Sequence, residues 1–392
     1  MKAIYPGESF TFPPNEAKSV LNRNAEVTLN SMSNMLESKP TKGSSPLKIA
    51  VIGLGHRACH YGSLPFVGEN ATICGVCESD ERRLTDGTAI YSSTFKYNVP
   101  GFLSCEELFD RTKPDGVYIS TPNNTHCEIA LAAMHRGIHV LCEKPLDISL
   151  ARCDKIIAAA KANRVILATG MQMNYRKRYH RIQKMIQEGV IGEPVMTWCV
   201  EYRHPFREGK KWVWDSELSG GSLVEKNCHH CDIMDMWMGG SHAVSVYATG
   251  NIRKHHTPHG YESNIVDNAY VVYDYENGAR GMLEISFLMD NVHDRQMGVQ
   301  GTEGRLWVQY SEGERIHVIQ ANGKTFEVDE PGELRGGLFR DFLDCIAEGN
   351  EPLVGGAKAR QSLLVPLAGE ISMAEKRVVQ ISELESAAKG PQ

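Results

Sequence analysis

The sequence lacks the long apolar segments and the one-sided charge that mark several classes of protein. No run of about 18 or more apolar residues occurs, and the first 46 residues lack the basic-then-apolar order of a secretory signal. The net charge of −6 is spread over both signs, so there is no basic stripe for nucleic acid and no polybasic segment for a membrane. We therefore expect a cytoplasmic protein whose partner is a small molecule, with no nucleic acid and no membrane involved.

The sequence also lacks internal repeats and an even set of cysteines. Its 11 cysteines are scattered through segments with strand or helix patterns, which favours reduced, buried thiols over a disulfide framework. The 392 residues are 42% hydrophobic and 23% charged, which is enough for two folded domains. Residues 1–46 are polar and end in a linker composition, which predicts an N-terminal extension, either flexible or an arm that packs on a partner subunit.

Two different patterns divide the rest of the chain. Runs such as LKIAVIG, ATICGVC and RVILATG alternate with helical periodicity, which predicts a doubly wound parallel sheet, the Rossmann arrangement, over residues 47–170. The chain beyond is first rich in helical patterns and then in strands separated by ENG and ANG turns. Such turns indicate hairpins, so residues 171–392 are predicted to form an α+β domain with a large, open, mainly antiparallel sheet.

A glycine-rich turn follows the first predicted strand. In VIGLGHRA, Gly53 allows a tight turn, Gly55 lets a diphosphate approach the backbone, and Ala58 lets the next helix pack on the sheet. This G-x-G-x-x-G/A pattern between a strand and a helix is the fingerprint of dinucleotide binding, although a turn of this composition can also occur without a ligand. The pattern predicts a nucleotide site held at a helix N-terminus.

The residue that ends the second strand indicates which cofactor is bound. Glu78 stands where an acidic side chain accepts hydrogen bonds from the ribose hydroxyls, which favours NAD. Arg82 and Arg83 follow closely and could instead neutralise a 2′-phosphate. We expect NAD, with NADP as the alternative.

The segment STPNNTHCEIALAAMHRGIHVLCEKPLDIS contains a T-P pair, a histidine that opens a helix, then G-x-H-V and E-K-P. In these motifs the sequence resembles the glucose-fructose oxidoreductase and inositol dehydrogenase family (Gfo/Idh/MocA), and the match spans about residues 47–381. The resemblance implies cofactor contacts from the two motif segments, at Thr121, Pro122, Asn123, His126, Glu143 and Lys144.

The resemblance also implies that Lys144, the lysine of E-K-P, contacts the reacting hydroxyl. An independent reason is that a cation beside an alcohol stabilises developing alkoxide charge while hydride leaves the carbon. The alternative is a surface lysine that follows a strand. A Lys-Pro pair at the carboxyl end of a strand, where α/β sheets bind ligands, favours the functional interpretation.

The segment LVEKNCHHCDIMDMW raises the question of a zinc site. Cys74 and Cys77 lie three apart in a predicted strand, so their side chains point to opposite faces and cannot share a metal. Cys228 and Cys231 lie three apart on a predicted helix and could share one, but a structural zinc needs four ligands and no matching pair occurs elsewhere. We predict that no metal is bound.

The same helix carries a polar stripe. Glu225, His229 and Asp232 are spaced i, i+4 and i+7, and they follow Gly220 and Gly221 in the order that the family shows. The resemblance implies that His229 is the general base or acid on the substrate hydroxyl, with Glu225 orienting it or binding the neighbouring hydroxyl. Asp232 is predicted to bind substrate. The alternative for His229 is a buried core histidine.

Weaker candidates lie on either side of this stripe. Tyr175 and Arg176 stand where the chain passes from the first region to the second, and they could line the cleft or form a polar hinge. Trp212 and Trp214 could offer aromatic faces to a sugar ring or pack on the sheet. We include Tyr175 and Arg176 among the predicted substrate contacts.

These observations predict an NAD-dependent oxidoreductase that interconverts a secondary alcohol and a ketone on a sugar, inositol or glycoside. The alternative is a glycoside hydrolase or lyase that uses tightly bound NAD for transient oxidation and elimination. A nucleotide sensor without catalysis is disfavoured because Lys144, Glu225 and His229 are all present. Family members associate through the open face of the second sheet, so a homodimer or homotetramer is expected.

Overall fold

The computed structural model describes residues 45–59 and 64–389. The predicted N-terminal extension lies almost entirely outside these residues. The described part of the chain forms two sheets, with helices on both faces of the first and on one face of the second.

The first sheet has six strands in the order β3-β2-β1-β4-β5-β6. Neighbouring strands run parallel throughout. Ile49, Ala50 and Val51 in β1 are fully buried, because a parallel sheet with helices on both faces places consecutive side chains in the core. The strands are β1 (Leu47–Ile52), β2 (Ala71–Cys77), β3 (Gly101–Phe102), β4 (Gly116–Ile119), β5 (His139–Cys142) and β6 (Leu167–Thr169).

Five helices alternate with these strands. Ser104 and Asp80 cap two of them, since each side chain accepts a hydrogen bond from a backbone N–H of the first turn. The helices are α1 (His56–Cys59), α2 (Glu81–Phe95), α3 (Cys105–Thr112), α4 (His126–Met134) and α5 (Leu150–Asn163).

The second sheet has nine strands in the order β14-β13-β12-β11-β7-β10-β9-β8-β15. All neighbours are antiparallel except β7 and β10, which pair in parallel. The predicted fold class is confirmed. The strands are β7 (Pro194–Arg203), β8 (Ala243–Asn251), β9 (Asn268–Tyr275), β10 (Arg280–Ser286), β11 (His293–Gly301), β12 (Gly304–Gln309), β13 (Ile316–Gln320), β14 (Thr325–Val328) and β15 (Val379–Gln380).

The remaining helices stand before and after these strands. The longest of them, α8, packs between the second sheet and α11. They are α6 (Lys177–Gln187), α7 (Ser216–Ser219), α8 (Ser222–Trp237), α9 (Leu338–Glu348), α10 (Gly356–Gln361), α11 (Leu364–Glu375) and α12 (Ile381–Lys389).

The second sheet is covered on one face only. Along β9, buried and exposed residues alternate, with Val271 and Tyr273 inside and Tyr270 and Val272 outside. Tyr270 is 56% exposed and Val272 is 50% exposed, which is unusual for large apolar side chains on a sheet. The outer face of the sheet, which we call the open face, is therefore apolar along its central strands.

Helix α9 belongs to the C-terminal part of the chain but packs on the first sheet. The Phe339 ring lies 5.0 Å from that of Phe66 and 5.5 Å from that of Tyr118 in β4. An added Cβ at Gly116 would stand 3.2 Å from Phe342 and from Ile346, so glycine is what lets the helix approach β4 this closely. The C-terminal part of the chain thus contributes side chains to the packing of the first sheet.

No helix among the described residues has both the length and the apolar character needed to cross a lipid bilayer.

Candidate functional site

A cleft of about 590 Å³ opens at the carboxyl ends of β1, β4 and β5, where parallel sheets bind ligands. One side is lined by the turn after β1 and by Ser120, Thr121, Asn123, Glu143 and Lys144. The opposite side is lined by α8 and by the loop after β7. The cleft therefore joins the predicted nucleotide turn to the predicted catalytic helix.

The turn after β1 has the geometry that a diphosphate needs. Gly53 has a φ of +86°, and an added Cβ there would lie 2.8 Å from the backbone of Ser120 and Thr121. A Cβ at Gly55 would meet nothing within 4 Å, because this residue faces the open cleft. Ala58 is fully buried where α1 meets the sheet. These three positions fit the roles that their sequence pattern predicts.

Glu78 lies against the same turn. Its carboxylate accepts hydrogen bonds from the backbone N–H of Leu54, at 3.0 Å, and of Ser79, at 2.9 Å. Arg83, in the first turn of α2, lines the cleft beyond it. An acidic group at the end of β2 fits a ribose with free hydroxyls, so the residues present fit NAD.

Glu143 is a buried carboxylate beside the cleft. Arg57 donates to its Oε1 at 2.7 Å, and the hydroxyl of Tyr118 donates to the same oxygen at 2.8 Å. Burial alone would raise the pKa of Glu143, but the charge of Arg57 and these hydrogen bonds hold it below its usual value. Glu143 thus fixes Arg57 and the turn that carries Lys144.

Lys144 points into the cleft and meets Glu225 from α8. Its Nζ lies 3.2 Å from Glu225 Oε2, and it also donates to the backbone carbonyl of Glu225. Burial lowers the pKa of Lys144, but the Glu225 carboxylate, together with Cys228 and Glu143, more than offsets this, so the pKa lies above its usual value. The amide of Asn123 donates to the same Glu225 oxygen at 3.1 Å. Lys144 is therefore a fixed cation.

The start of α8 is built around two glycines and a buried acid. Gly220 and Gly221 have φ values of +85° and +99°, and a Cβ on Gly221 would lie 2.3 Å from the carboxylate of Glu370. Glu370 accepts from the N–H of Leu223 at 2.8 Å, which satisfies a free donor of the first helical turn. Burial raises the pKa of Glu370 to about 7. This arrangement sets where α8 begins and where its first turn presents Glu225.

His229 lies one turn further along α8 and lines the cleft. Its Nδ1 is buried without a hydrogen-bond partner among the described residues. Burial and the nearby charge of Lys144 lower its pKa well below the usual value, so the ring is neutral at physiological pH. Within the described part of the chain, Glu225 contacts Lys144 and Asn123 and not His229, so of its two predicted roles, orienting the imidazole has no contact to support it, and binding the neighbouring hydroxyl stays a prediction.

Asp232 does not reach the cleft. It accepts from the amide of Asn174 and lies 3.7 Å from the ammonium of Lys358, in a buried group behind α8. Burial raises the pKa of Asp232, and Lys358 offsets part of that effect. Its side chain has protein partners on that side, so the structure gives this predicted substrate contact no place in the cleft.

Tyr175 and Arg176 also lie away from the cleft. The hydroxyl of Tyr175, which is 1% exposed, donates to Asp341 at 2.8 Å. Arg176 forms a surface ion pair with Glu333 at 3.3 Å. Neither residue lines the cleft, so their predicted substrate contacts have no place there.

Some residues of the T-P segment line the cleft, and others lie beneath it. Thr121 and Asn123 line the cleft, whereas Pro122 and His126 do not. His126 is fully buried, with its ring nitrogens 2.9 Å from the carbonyl oxygen of Pro145 and 3.1 Å from that of Thr121. It therefore holds the two motif segments together beneath the site.

Several residues that line the cleft are absent from the predicted site. Lys226 follows Glu225 and pairs with the buried Glu201 of β7 at 3.1 Å; burial lowers its pKa to about 8. Arg203 and Lys210 come from the end of β7 and the loop after it. The basic and aromatic composition of that loop was a signal for Arg203, but Lys226 has no signal beyond its position next to Glu225.

No group of three or more His, Cys, Asp or Glu side chains among residues 45–59 and 64–389 is arranged to hold a metal ion. Cys228 and Cys231 are both buried, and burial raises the pKa of each thiol. His255 and His259, which lie between β8 and β9, have separate partners, the carbonyl oxygens of Phe287 and Phe206.

Two family models match the chain in succession. The one described as the oxidoreductase family, NAD-binding Rossmann fold, matches residues 47–171, and the one described as the oxidoreductase family, C-terminal alpha/beta domain, matches residues 183–381. Both carry the name GFO_IDH_MocA. Together they cover both sheets and the cleft between them.

Curated relatives extend over most of the chain. A myo-inositol 2-dehydrogenase of Thermotoga maritima is 25% identical over 345 residues, which are 86% of this chain and 99% of the relative. A 2,7-anhydro-N-acetylneuraminate hydratase of Mediterraneibacter gnavus is 25% identical over 376 residues, with 86% and 96% covered. A solved aldose-aldose oxidoreductase of Caulobacter crescentus, 20% identical with a TM-score of 0.71 over 85% of this chain and 99% of that one, has the same fold.

Proposed function

Since the chain belongs to the Gfo/Idh/MocA oxidoreductase family, we propose that it interconverts a secondary alcohol and a ketone on a sugar, inositol or glycoside. It is an NAD-dependent dehydrogenase that acts on CH–OH groups. The observation that supports this reaction is that Lys144 and His229 line the same cleft as the Gly53–Ala58 turn. One cleft therefore offers a cofactor turn, a fixed cation and a neutral imidazole.

The first half of the chain is suited to hold the cofactor. The N–H groups after Gly53 and the dipole of the following helix favour the diphosphate, and Glu78 favours the ribose hydroxyls. Bound NAD supplies the hydride acceptor. The roles of Lys144 and His229 concern only the hydroxyl oxygen and its proton.

Lys144 would donate a hydrogen bond to the hydroxyl that is oxidised. Its ammonium stabilises negative charge that builds on this oxygen, and it does so in a partly closed cleft where charges are weakly screened. Its side chain is only 16% exposed. Glu225 keeps the ammonium charged and in place, which makes Glu225 a positioning residue for Lys144.

His229 would remove the proton from the hydroxyl. Its lowered pKa keeps the ring neutral, so a ring nitrogen can accept a proton at physiological pH. Since the Nδ1 atom is buried, Nε2 would be the nitrogen that accepts the proton. In the reverse direction the protonated ring would return the proton to the oxygen of the ketone.

The relatives support the substrate class. Two of them are named myo-inositol 2-dehydrogenase and scyllo-inositol 2-dehydrogenase (NAD(+)), and the first matches along nearly its full length. Both names describe oxidation of a ring carbon that bears a secondary hydroxyl. A cyclic polyol or sugar is therefore the proposed substrate class of this chain.

A second function is favoured by the relative named as a hydratase of 2,7-anhydro-N-acetylneuraminate. In that class of reaction the cofactor would stay bound, and transient oxidation of one carbon would acidify the neighbouring C–H so that a group can leave. The same Lys144 and His229 would serve the hydroxyl. The two functions differ in whether NADH accumulates with substrate alone.

The test is a set of sugars, inositols and glycosides incubated with NAD and the full chain, followed by nicotinamide absorbance and by product analysis. Accumulating NADH supports the dehydrogenase, whereas a changed product without NADH supports the second function. Lys144→Ala and His229→Asn should each lower kcat by about 10²-fold or more, the scale of a positioned proton-transfer group, with NAD affinity retained. Turnover near that of the wild type in His229→Asn would refute its role.

A further inference from the structure

The cleft is lined mainly by cationic side chains, although the molecule as a whole is negatively charged. The chain as a whole has a net charge of −6. The cleft is lined by seven lysine or arginine side chains against four aspartate or glutamate side chains. Some of this positive charge is neutralised by nearby carboxylates, and some is placed to serve the cofactor.

Three of the cations have a carboxylate partner at 2.7, 3.2 and 3.1 Å, and these pairs are Arg57–Glu143, Lys144–Glu225 and Lys226–Glu201. Two further cations lie on the nucleotide side. Arg83 stands in the first turn after β2, and Arg207 Nη1 lies 2.8 Å from His56 Nε2 in the glycine-rich turn. Arg203 and Lys210 are the two that remain.

In the part of the chain that the structure describes, neither of these two forms an ion pair with a carboxylate, although the charge of Glu225 acts on both. Among residues 45–59 and 64–389, the Lys210 ammonium makes no ion pair or hydrogen bond, although it is half-buried. Burial is the main reason that the pKa of Lys210 lies below its usual value; the charges of Glu225 and Glu143 offset part of this effect, and those of Lys144 and Arg203 add to it. An unpaired, partly desolvated ammonium is costly unless a ligand supplies the missing charge.

The loop that carries these cations is held in place. Phe206 is 5% exposed and packs on Trp214 at 5.6 Å and on Phe287 at 4.8 Å between ring centroids. The guanidinium of Arg203 lies over the rings of Phe206 and Phe287, at 5.4 and 5.7 Å. Lys210 is fixed by a backbone turn, since its carbonyl accepts from Val213 at 3.1 Å. The guanidinium of Arg203 and the backbone of Lys210 are therefore held in place by the protein itself.

Their place in the cleft indicates what they bind. Arg203 and Lys210 line the same cleft as Lys144 and His229, to which the proposed function assigns the reacting hydroxyl. We infer that Arg203 and Lys210 form an anion subsite, and that the substrate is a sugar or polyol bearing a carboxylate or a phosphate. This inference rests on the proposed function for which end of the cleft takes the substrate.

Calorimetric titration of the NAD-loaded full chain tests the subsite. The ligands are D-glucose, D-glucuronate and D-glucose 6-phosphate, together with the corresponding galactose set. At least one anionic sugar should bind about tenfold or more tightly than its neutral counterpart, the scale of one charge-assisted hydrogen bond. The preferred anion distinguishes a carboxylate subsite from a phosphate subsite. Added salt should weaken the anionic sugars only.

Substitutions locate the effect. Lys210→Met should remove the preference, and Lys210→Arg should retain it. Lys211→Met is the matched control, because Lys211 is exposed, packs on the ring of Tyr261 at 5.6 Å and lies outside the cleft lining. NAD affinity should be the same in all four proteins. A loss of NAD affinity in Lys210→Met would overturn the inference, since Lys210 would then serve the cofactor.

The remaining outcomes separate this inference from the proposed function. If no anionic sugar binds more tightly than its neutral counterpart, the subsite is refuted. If NADH then still forms with neutral polyols, the dehydrogenase proposal stands alone. If an anionic sugar is preferred through Lys210 but no sugar in the set gives NADH or a changed product, the subsite stands and the proposed reaction fails.

Discussion

Replacing Glu225 with glutamine would test whether this carboxylate serves Lys144. Glutamine keeps the size of the side chain, and its carbonyl oxygen can still accept the hydrogen bond that Asn123 donates at 3.1 Å. The backbone carbonyl that accepts from Lys144 is also unchanged. The substitution therefore removes one negative charge and little else.

The distance between the charges sets the size of the effect. Two unit charges 3.2 Å apart attract by about 5 kcal/mol at an effective dielectric constant of about 20. This attraction offsets the burial that otherwise lowers the pKa of Lys144. If about half of it is lost from the transition state, kcat falls by about 10²-fold.

The sign of the pH dependence follows. The charged ammonium is the active form of Lys144, and in the wild type its pKa lies above the usual value. Without the charge of Glu225, the largest effect that offsets burial is lost and the pKa of Lys144 falls. The variant should therefore lose activity as pH rises through the lowered pKa, over a range where the wild type does not.

The assay is kcat against pH for the wild type, Glu225→Gln, Lys144→Ala and the double variant. Exposed Glu217, which precedes α8 outside the cleft lining, gives the matched control Glu217→Gln. The second substitution should add little in the double variant, because residues that act as one unit are not additive. A loss in Glu225→Gln that is greatest at low pH, or full additivity with Lys144→Ala, would refute this reasoning.

Three further predictions concern the cofactor, metal and assembly. NAD should bind more tightly than NADP in parallel titrations, because the carboxylate of Glu78 would repel a 2′-phosphate; tighter binding of NADP would contradict this. Prolonged treatment with a chelator should leave activity intact, whereas loss of stoichiometric zinc together with activity would reinstate a metal at Cys228 and Cys231. Sedimentation should show a homodimer or homotetramer, and Val272→Glu on the open face should shift it towards monomer. A wild-type monomer at micromolar concentration would count against that assembly.

Much of the fold could be predicted because its signals are local. The apolar runs LKIAVIG, ATICGVC and RVILATG, which predicted strands of the first sheet, fall on β1, β2 and β6. The ENG and ANG turns do join antiparallel neighbours, with Gly278 at a φ of +81° and Gly323 at +84°. The parallel pairing of β7 with β10 could not be predicted, because it joins segments far apart in the sequence and leaves no periodic pattern in either.

The residues of the candidate site could be predicted where they lie on a single helix. Glu225 and His229 line the cleft from one helix, as their spacing predicts. Asp232 lies on the same side of that helix but about 10 Å further along its axis than Glu225, so it passes beyond the cleft. Lys226 and Lys210 depend on what lies opposite them, and a single sequence does not contain that information.

The packing of α9 on the first sheet has a consequence for experiments on fragments. A truncated protein that ends near residue 170 would keep every strand of the nucleotide-binding sheet. It would lack Phe339, Phe342 and Ile346, which cover one face of that sheet in the full chain. Each such side chain contributes about 1.5–3 kcal/mol when fully buried, which is a large part of the stability of a domain of this size. The fragment would present an uncovered apolar face around Tyr118 and Phe66. We expect it to aggregate on expression, and a fusion that restores residues 338–348 through a flexible linker should recover a soluble, cofactor-binding domain.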